Sequence, residues 1–170
     1  MLALLQFYFQ LCFLKNAPQD APFSKSMYYF GLLAYYFVGV FLTSLSQALF
    51  VAMVVSLIQT GLLVFLTNIL LWVRKTPERY EQTMTALTIS GAIIGIAAMP
   101  IMSMVGSLGG ENIASIVWFI LILWEAVVIG HIYRHAMEIA FMGGLGIAFI
   151  YMYLSFAVTL RLMKIIAAPF

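Results

Sequence analysis

The 170-residue chain is 65% hydrophobic and only 8% charged, with a formal net charge of +2. A soluble domain carries about 25% charged residues, so a soluble fold is excluded and residues 1–170 read as one integral membrane domain of all-α class. The small, scattered positive charge excludes nucleic acid as a partner. The single cysteine, Cys12, excludes an intrachain disulfide and a cysteine metal cluster, and reads as a buried thiol.

The first fourteen residues, MLALLQFYFQLCFL, lack the basic start and the small-x-small cleavage pattern of a signal peptide. At about 1.5 Å per residue they reach roughly 21 Å, short of a ~30 Å hydrocarbon core. Gln6 and Gln10 stand at i and i+4 and give a narrow polar stripe. The pattern fits a short interfacial helix, with a re-entrant helix or a segment buried against a partner protein as alternatives.

Five longer apolar segments follow. The break NAPQDAPFSKS has two prolines and Asp20, and Ser24 is placed to cap a first span over about 26–44. The uncharged TSLSQ predicts a tight hairpin into a second span, about 47–73. In RKTPERYEQ, Thr76-Pro77-Glu78 reads as N-cap, N1 proline and first-turn acid of a third span, about 77–104, which Pro100 is expected to kink or end. SLGGEN predicts a glycine turn, with Glu111 opening a fourth span over about 111–135. A fifth runs over about 138–164, with AFMGGLG at its start. The class is therefore a five-span transmembrane helical bundle with a short N-terminal interfacial helix.

Charge sets orientation. Lys15, Lys25, Arg74, Lys75, Arg79 and Arg134 fall on one side of a five-span chain, and the two opposite loops carry no Lys or Arg. The positive-inside rule makes that side, and the N-terminus, cytoplasmic, as in a bacterial inner membrane. Arg161 and Lys164 then fall outside. They snorkel there, or else the last helix is re-entrant.

Glu125 lies nine residues before Arg134, or about 13 Å along a helix axis and close to mid-bilayer. A carboxylate at that depth has to be protonated, paired or facing water. It is a candidate proton or cation site, or else a neutral side chain hydrogen-bonded between helices. Thr88, Ser90, Tyr35 and Tyr36 stand at similar depth, and Gln59, near the middle of the second span, also needs a partner. His131 and His135 share a helix face at i, i+4, with Glu138 following. With no other histidine in the chain they are too few for a metal centre, so no metal and no cofactor are expected. Arg134 and Glu138, again i, i+4, are expected to pair at a solvated helix end.

Thr85, Thr88, Gly91, Gly95 and Ala98 make a small-residue face on the third span, and Gly144, Ala148, Tyr151, Ser155 and Thr159 another on the fifth. Both read as packing seams, Gly91-x-x-x-Gly95 in particular. Trp72, Trp118, Tyr28 and Tyr29 stand where interfacial belts are expected. Eleven methionines offer adaptable packing and no copper-binding run. Nucleophile-elbow, Walker, dinucleotide and His-Glu-x-x-His motifs are all missing from the sequence.

Three stretches, PQDAP before the first span, RYEQTMTALTISGAI entering the third and WEAVVIGHIYRHAME closing the fourth, carry a resemblance that covers most of the chain. The chain resembles the bacterial relatives of the Yip family of small five-span membrane proteins. Eukaryotic members have an Asp-Leu-x-Gly-Pro tract before their spans and associate with membrane-trafficking partners. Here Asp20-Ala21-Pro22 keeps the Asp and the Pro without the Gly. The resemblance implies a non-enzymatic membrane organiser and supplies no catalytic residue.

The first functional expectation is thus a non-catalytic accessory or scaffold protein. Its partners would be membrane lipids and either other integral membrane proteins or further copies of itself. The second is a transporter or channel component with Glu125 as its coupling group. A membrane enzyme using Glu125 and His131 ranks third, because no catalytic motif supports it.

Overall fold

The computed structural model describes residues 2–21, 24–105 and 111–167. Six α-helices are present among them: α1 (Leu2–Cys12), α2 (Lys25–Ser44), α3 (Leu49–Val73), α4 (Tyr80–Val105), α5 (Glu111–Met137) and α6 (Phe141–Ala167). Single 3-10 turns, Pro18–Asp20 and Pro77–Arg79, precede α2 and α4. The five helices after α1 are each long and apolar enough to cross a membrane, α6 included. The glycine turn expected over 107–110 lies outside the described residues, as does Pro22 of the PQDAP stretch.

Several helix ends differ from expectation. Ser24 and Thr76 hold cap positions, but neither side chain makes a capping hydrogen bond. Pro77 opens a 3-10 turn, and α4 proper begins at Tyr80. Pro100 does not end α4, which continues to Val105. A proline removes one backbone N–H from the helical ladder, and the flanking turns carry the helix through.

The five long helices close a ring in the order α2, α3, α6, α5, α4, each touching the next, with α4 also reaching α1 and α3. α4 is the most deeply buried of the five. Its sequence explains why. Thr83, Thr85, Thr88 and Ser90 each donate their hydroxyl to the carbonyl four residues back, at 2.6–2.7 Å. Back-bonding of this kind satisfies a hydroxyl without a partner helix, so small polar side chains become neutral packing surface. The expected glycine seam on α4 faces α2. A Cβ on Gly91 would stand 2.7 Å from a ring carbon of Tyr35, and one on Gly95 would press on Val38.

One end of the bundle is held by backbone capping. Leu14, Lys75 and Glu138 have φ of 62°, 60° and 53°, the left-handed conformation that usually selects glycine. Each closes a helix through a bond running five residues back: Lys15 N–H to Gln10, Thr76 N–H to Leu71, and Ile139 N–H to Arg134. Arg74 donates to the Met137 carbonyl at 3.0 and 3.3 Å, and Arg79 to those of His135 and Ala136, both at 3.4 Å. Two cations thus cover the open carbonyls at the C-terminus of α5, where the helix dipole favours them. Arg79 also bonds Glu138 Oε1 at 2.6 Å. The acid therefore pairs across the bundle and not with Arg134. Glu138 has left the helix, so the i, i+4 geometry that would join it to Arg134 is lost.

α1 does not stand apart from the bundle. Tyr8, Leu11 and Cys12 are fully buried, and α1 packs along α4. Trp124 Nε1–H donates to the Cys12 carbonyl at 2.9 Å, and the rings of Phe13 and Trp124 meet at 5.8 Å. Beyond the turn, His131 Nε2–H donates to the Asn16 carbonyl at 3.0 Å, and Gln82 donates to Ala21. The strand of chain from Cys12 to Ala21 therefore runs along α5 from Trp124 toward its C-terminal end. The surface that this apolar segment needs is supplied by its own chain.

Candidate functional site

Inside the helical ring lies a cavity of about 420 Å³ to which all five long helices contribute. It reaches from Tyr35 and Glu125, near the middle of α2 and α5, to Thr43, Ser46 and Trp118 at the end of the bundle away from Arg74 and Arg79. Helix direction explains this shape. α2 ends at Ser44 and α3 begins at Leu49, so their hairpin forms one rim, with the first turns of α5 beside it.

Glu125 is half-buried on the cavity wall. Among the described residues its carboxylate has no hydrogen-bond or ion-pair partner. The other polar groups of the wall are mostly engaged. Gln59 donates its amide to Thr159 Oγ1 at 2.9 Å, linking α3 to α6. Thr60 returns its hydroxyl to the Ser56 carbonyl at 2.8 Å. Ser56 is the exception: its hydroxyl is buried and has no partner among the described residues.

Beneath the main space, the hydroxyls of Tyr35 and Tyr151 meet at 3.0 Å and tie α2 to α6. Both tyrosines, with Glu125 and Ser90, border a second, far smaller cavity of about 10 Å³. That is barely the room of one water molecule. Further toward the basic end, Thr67 and Tyr133 share a buried hydroxyl bond of 2.8 Å. The tyrosine pair and the packed apolar groups around it separate the cavity from that end.

The residues singled out from sequence thus divide. Glu125 and Gln59 come together on one cavity. Ser90 touches only the small space beneath it. Thr88 does not reach either: it is fully buried against Gly31 and bonded within α4. Gly91 and Gly95 serve the α2–α4 seam and also line the cavity, because the close approach on one flank leaves the other flank without side chains.

The histidine pair lies elsewhere. The rings of His131 and His135 stand edge to face at 4.6 Å, and His131 is 7% exposed. The N-terminal segment covers His131 on this helix end, while Arg134 and Glu138 stay exposed. No third His, Cys, Asp or Glu joins the pair among the described residues. His131 does not line the cavity, so Glu125 and His131 do not share a site.

Trp118, expected in an interfacial belt, is 44% exposed and also borders the cavity. Ser56 and Thr60 carried no sequence signal that set them apart from other hydroxyls in apolar helices. Comparison with family models, with curated proteins and with solved structures gives no match to this chain.

Proposed function

We propose that this chain is a membrane-embedded component of a transporter or channel, in which Glu125 takes up a proton or cation from the cavity. The observation that carries the reading is the unpartnered carboxylate on the wall of a cavity shared by five apolar helices. An uncompensated carboxylate at that depth is expensive, and such groups mark ion and substrate paths. The cavity is also large, about 420 Å³, and open on one side. With polar groups on its wall, the space is suited to water and a polar occupant.

The cytoplasm then lies at the end with Arg74, Lys75 and Arg79, by the positive-inside rule. The cavity would face the opposite side of a bacterial inner membrane. The organiser reading, which the Yip resemblance implies, drew part of its support from an apolar N-terminal segment in want of a surface. α4 and α5 provide that surface, and the support weakens accordingly.

The test is proton uptake by liposomes containing the purified chain, followed with an entrapped pH dye under an imposed potential. Glu125→Gln should abolish the pH-dependent component, and Glu125→Asp should retain part of it. Uptake that is unchanged in Glu125→Gln would overturn the proposal and return the organiser reading to first place.

A further inference from the structure

We infer that the cavity binds an organic cation with an apolar body, of the substituted-ammonium class, with Glu125 as its counter-ion. The inference rests on the reading of Glu125 as a cation site and names the kind of cation.

Size is the first argument. A proton needs a carboxylate and a water, and the small space beneath the tyrosine pair would suffice for that. The main cavity, at about 420 Å³, falls instead within the range of pockets that hold small molecules, roughly 300–1,000 Å³.

Ligand chemistry is the second. A hard metal cation requires about six converging oxygen atoms. Glu125 is the single acid among the residues described on this wall, and no cluster of three His, Cys, Asp or Glu exists among the described residues. The tyrosine hydroxyls are turned to each other, and Thr60 is turned into its own helix. An ammonium group asks for much less. One carboxylate neutralises it, and neutral acceptors complete its shell. Gln59 spends its N–H on Thr159, which leaves its carbonyl oxygen as an acceptor. The buried Ser56 hydroxyl on the same wall also has no partner among the described residues.

The aromatic groups supply the third argument. Tyr35 stands beside Glu125 at the inner end, and Trp118 lines the wall toward the outer end. Aromatic faces attract quaternary and alkylated ammonium groups, most strongly where water is excluded. The remaining wall is largely aliphatic, with Leu121 and its neighbours. It offers an apolar body a place that water would not favour. A carboxylate at the inner end rejects anions.

The experiment is equilibrium dialysis of the full-length chain in mild detergent against benzyltrimethylammonium and its uncharged isostere neopentylbenzene. Wild-type protein should bind the cation saturably and at least about tenfold more tightly than the isostere, a difference of about 1.4 kcal/mol. Glu125→Gln should remove that preference. Trp118→Leu, away from the packed seams, should weaken cation binding several-fold while leaving Glu125 in place, and so tests the site even where the Glu125 variant fails to fold. Equal binding of cation and isostere to wild type, or undiminished cation binding in Glu125→Gln, would overturn the inference. If no organic cation binds while proton uptake still depends on Glu125, this inference falls alone. If neither property depends on Glu125, the transporter reading falls with it.

Discussion

The α5–α6 seam offers the sharpest test of the packing. The two helices meet where Gly130 faces Gly144. A Cβ on Gly144 would collide with the Gly130 carbonyl oxygen and lie 3.1 Å from the Arg134 nitrogen. A Cβ on Gly130 would stand 3.0 Å from Leu145 Cα and N. These are backbone atoms, so no change of rotamer relieves the overlap. The helices would have to part by on the order of 1 Å, which forfeits a quarter to a half of each contact's dispersion energy along the seam. Overpacking of this kind costs about 1–3 kcal/mol, and the better helix propensity of alanine returns about 1 kcal/mol. A collision with backbone falls in the upper part of that range, so Gly144→Ala should destabilise the fold by about 1–2 kcal/mol. Gly146 has open space around it, so Gly146→Ala should gain about 0.5–1 kcal/mol from propensity alone. At roughly 2–4 °C per kcal/mol for a chain of this size, the two variants should differ in Tm by roughly 3–12 °C, with wild type between them. Thermal unfolding of the three proteins in one detergent decides the matter. Equal Tm values, or a lower one for Gly146→Ala, would refute the seam as described.

Burial pushes the Cys12 thiol up to about 11. Against an ordinary thiol near 8.5, its thiolate fraction at pH 7 is lower by on the order of 100-fold. Iodoacetamide labelling should be slowed by at least that factor until α1 is released, and fast labelling of the folded protein would contradict the placement of α1. The Arg79–Glu138 pair has 29% and 69% of its side chains exposed, so Glu138→Gln should cost less than about 1 kcal/mol. Arg79→Ala also uncovers two α5 carbonyls and should cost about 1–3 kcal/mol; a Tm loss no greater than that of Glu138→Gln would argue against the capping role. Lys75→Gly relieves a left-handed residue worth about 1–2 kcal/mol, partly offset by a more flexible unfolded chain. A net gain of about 0.5–1 kcal/mol in thermal unfolding is expected, and a lower Tm would show that the Lys75 side chain contributes something else.

Most of the architecture was legible because long apolar helices are written in composition and loop chemistry. Helix ends were less so. A search for stop signals looks for glycine, but three helices end on Leu14, Lys75 and Glu138. Gly143 and Gly144 lie inside α6, where the sequence places them, and Gly144 is there for close packing. The same left-handed turn explains the misassigned ion pair. The i, i+4 rule presumes that both residues are helical, and Glu138 is not. The packing of the N-terminal segment on α4 was not legible for another reason. Length and amphipathicity say that a helix of 11 residues is too short to span, but they carry no information about whether its apolar side meets lipid or α4.

The site shows the same division between what a sequence states and what a fold adds. Glu125 stands out in the sequence because charge in an apolar run is costly, and that reasoning needs no tertiary information. The cavity has no such local signature. It exists because five helices are arranged in a ring. Gly91 and Gly95 present no side chains toward its centre, and Thr60 has folded its hydroxyl into its own helix. Each of these choices is individually neutral, since a back-bonded hydroxyl is satisfied wherever it stands. Together they leave one unpartnered carboxylate and one unpartnered hydroxyl, Glu125 and Ser56, on the same wall. Both carry a desolvation cost that a suitable ligand would relieve. Among the described residues the space is unfilled and the acid unpaired, and the proposed cation site rests on that pair of features.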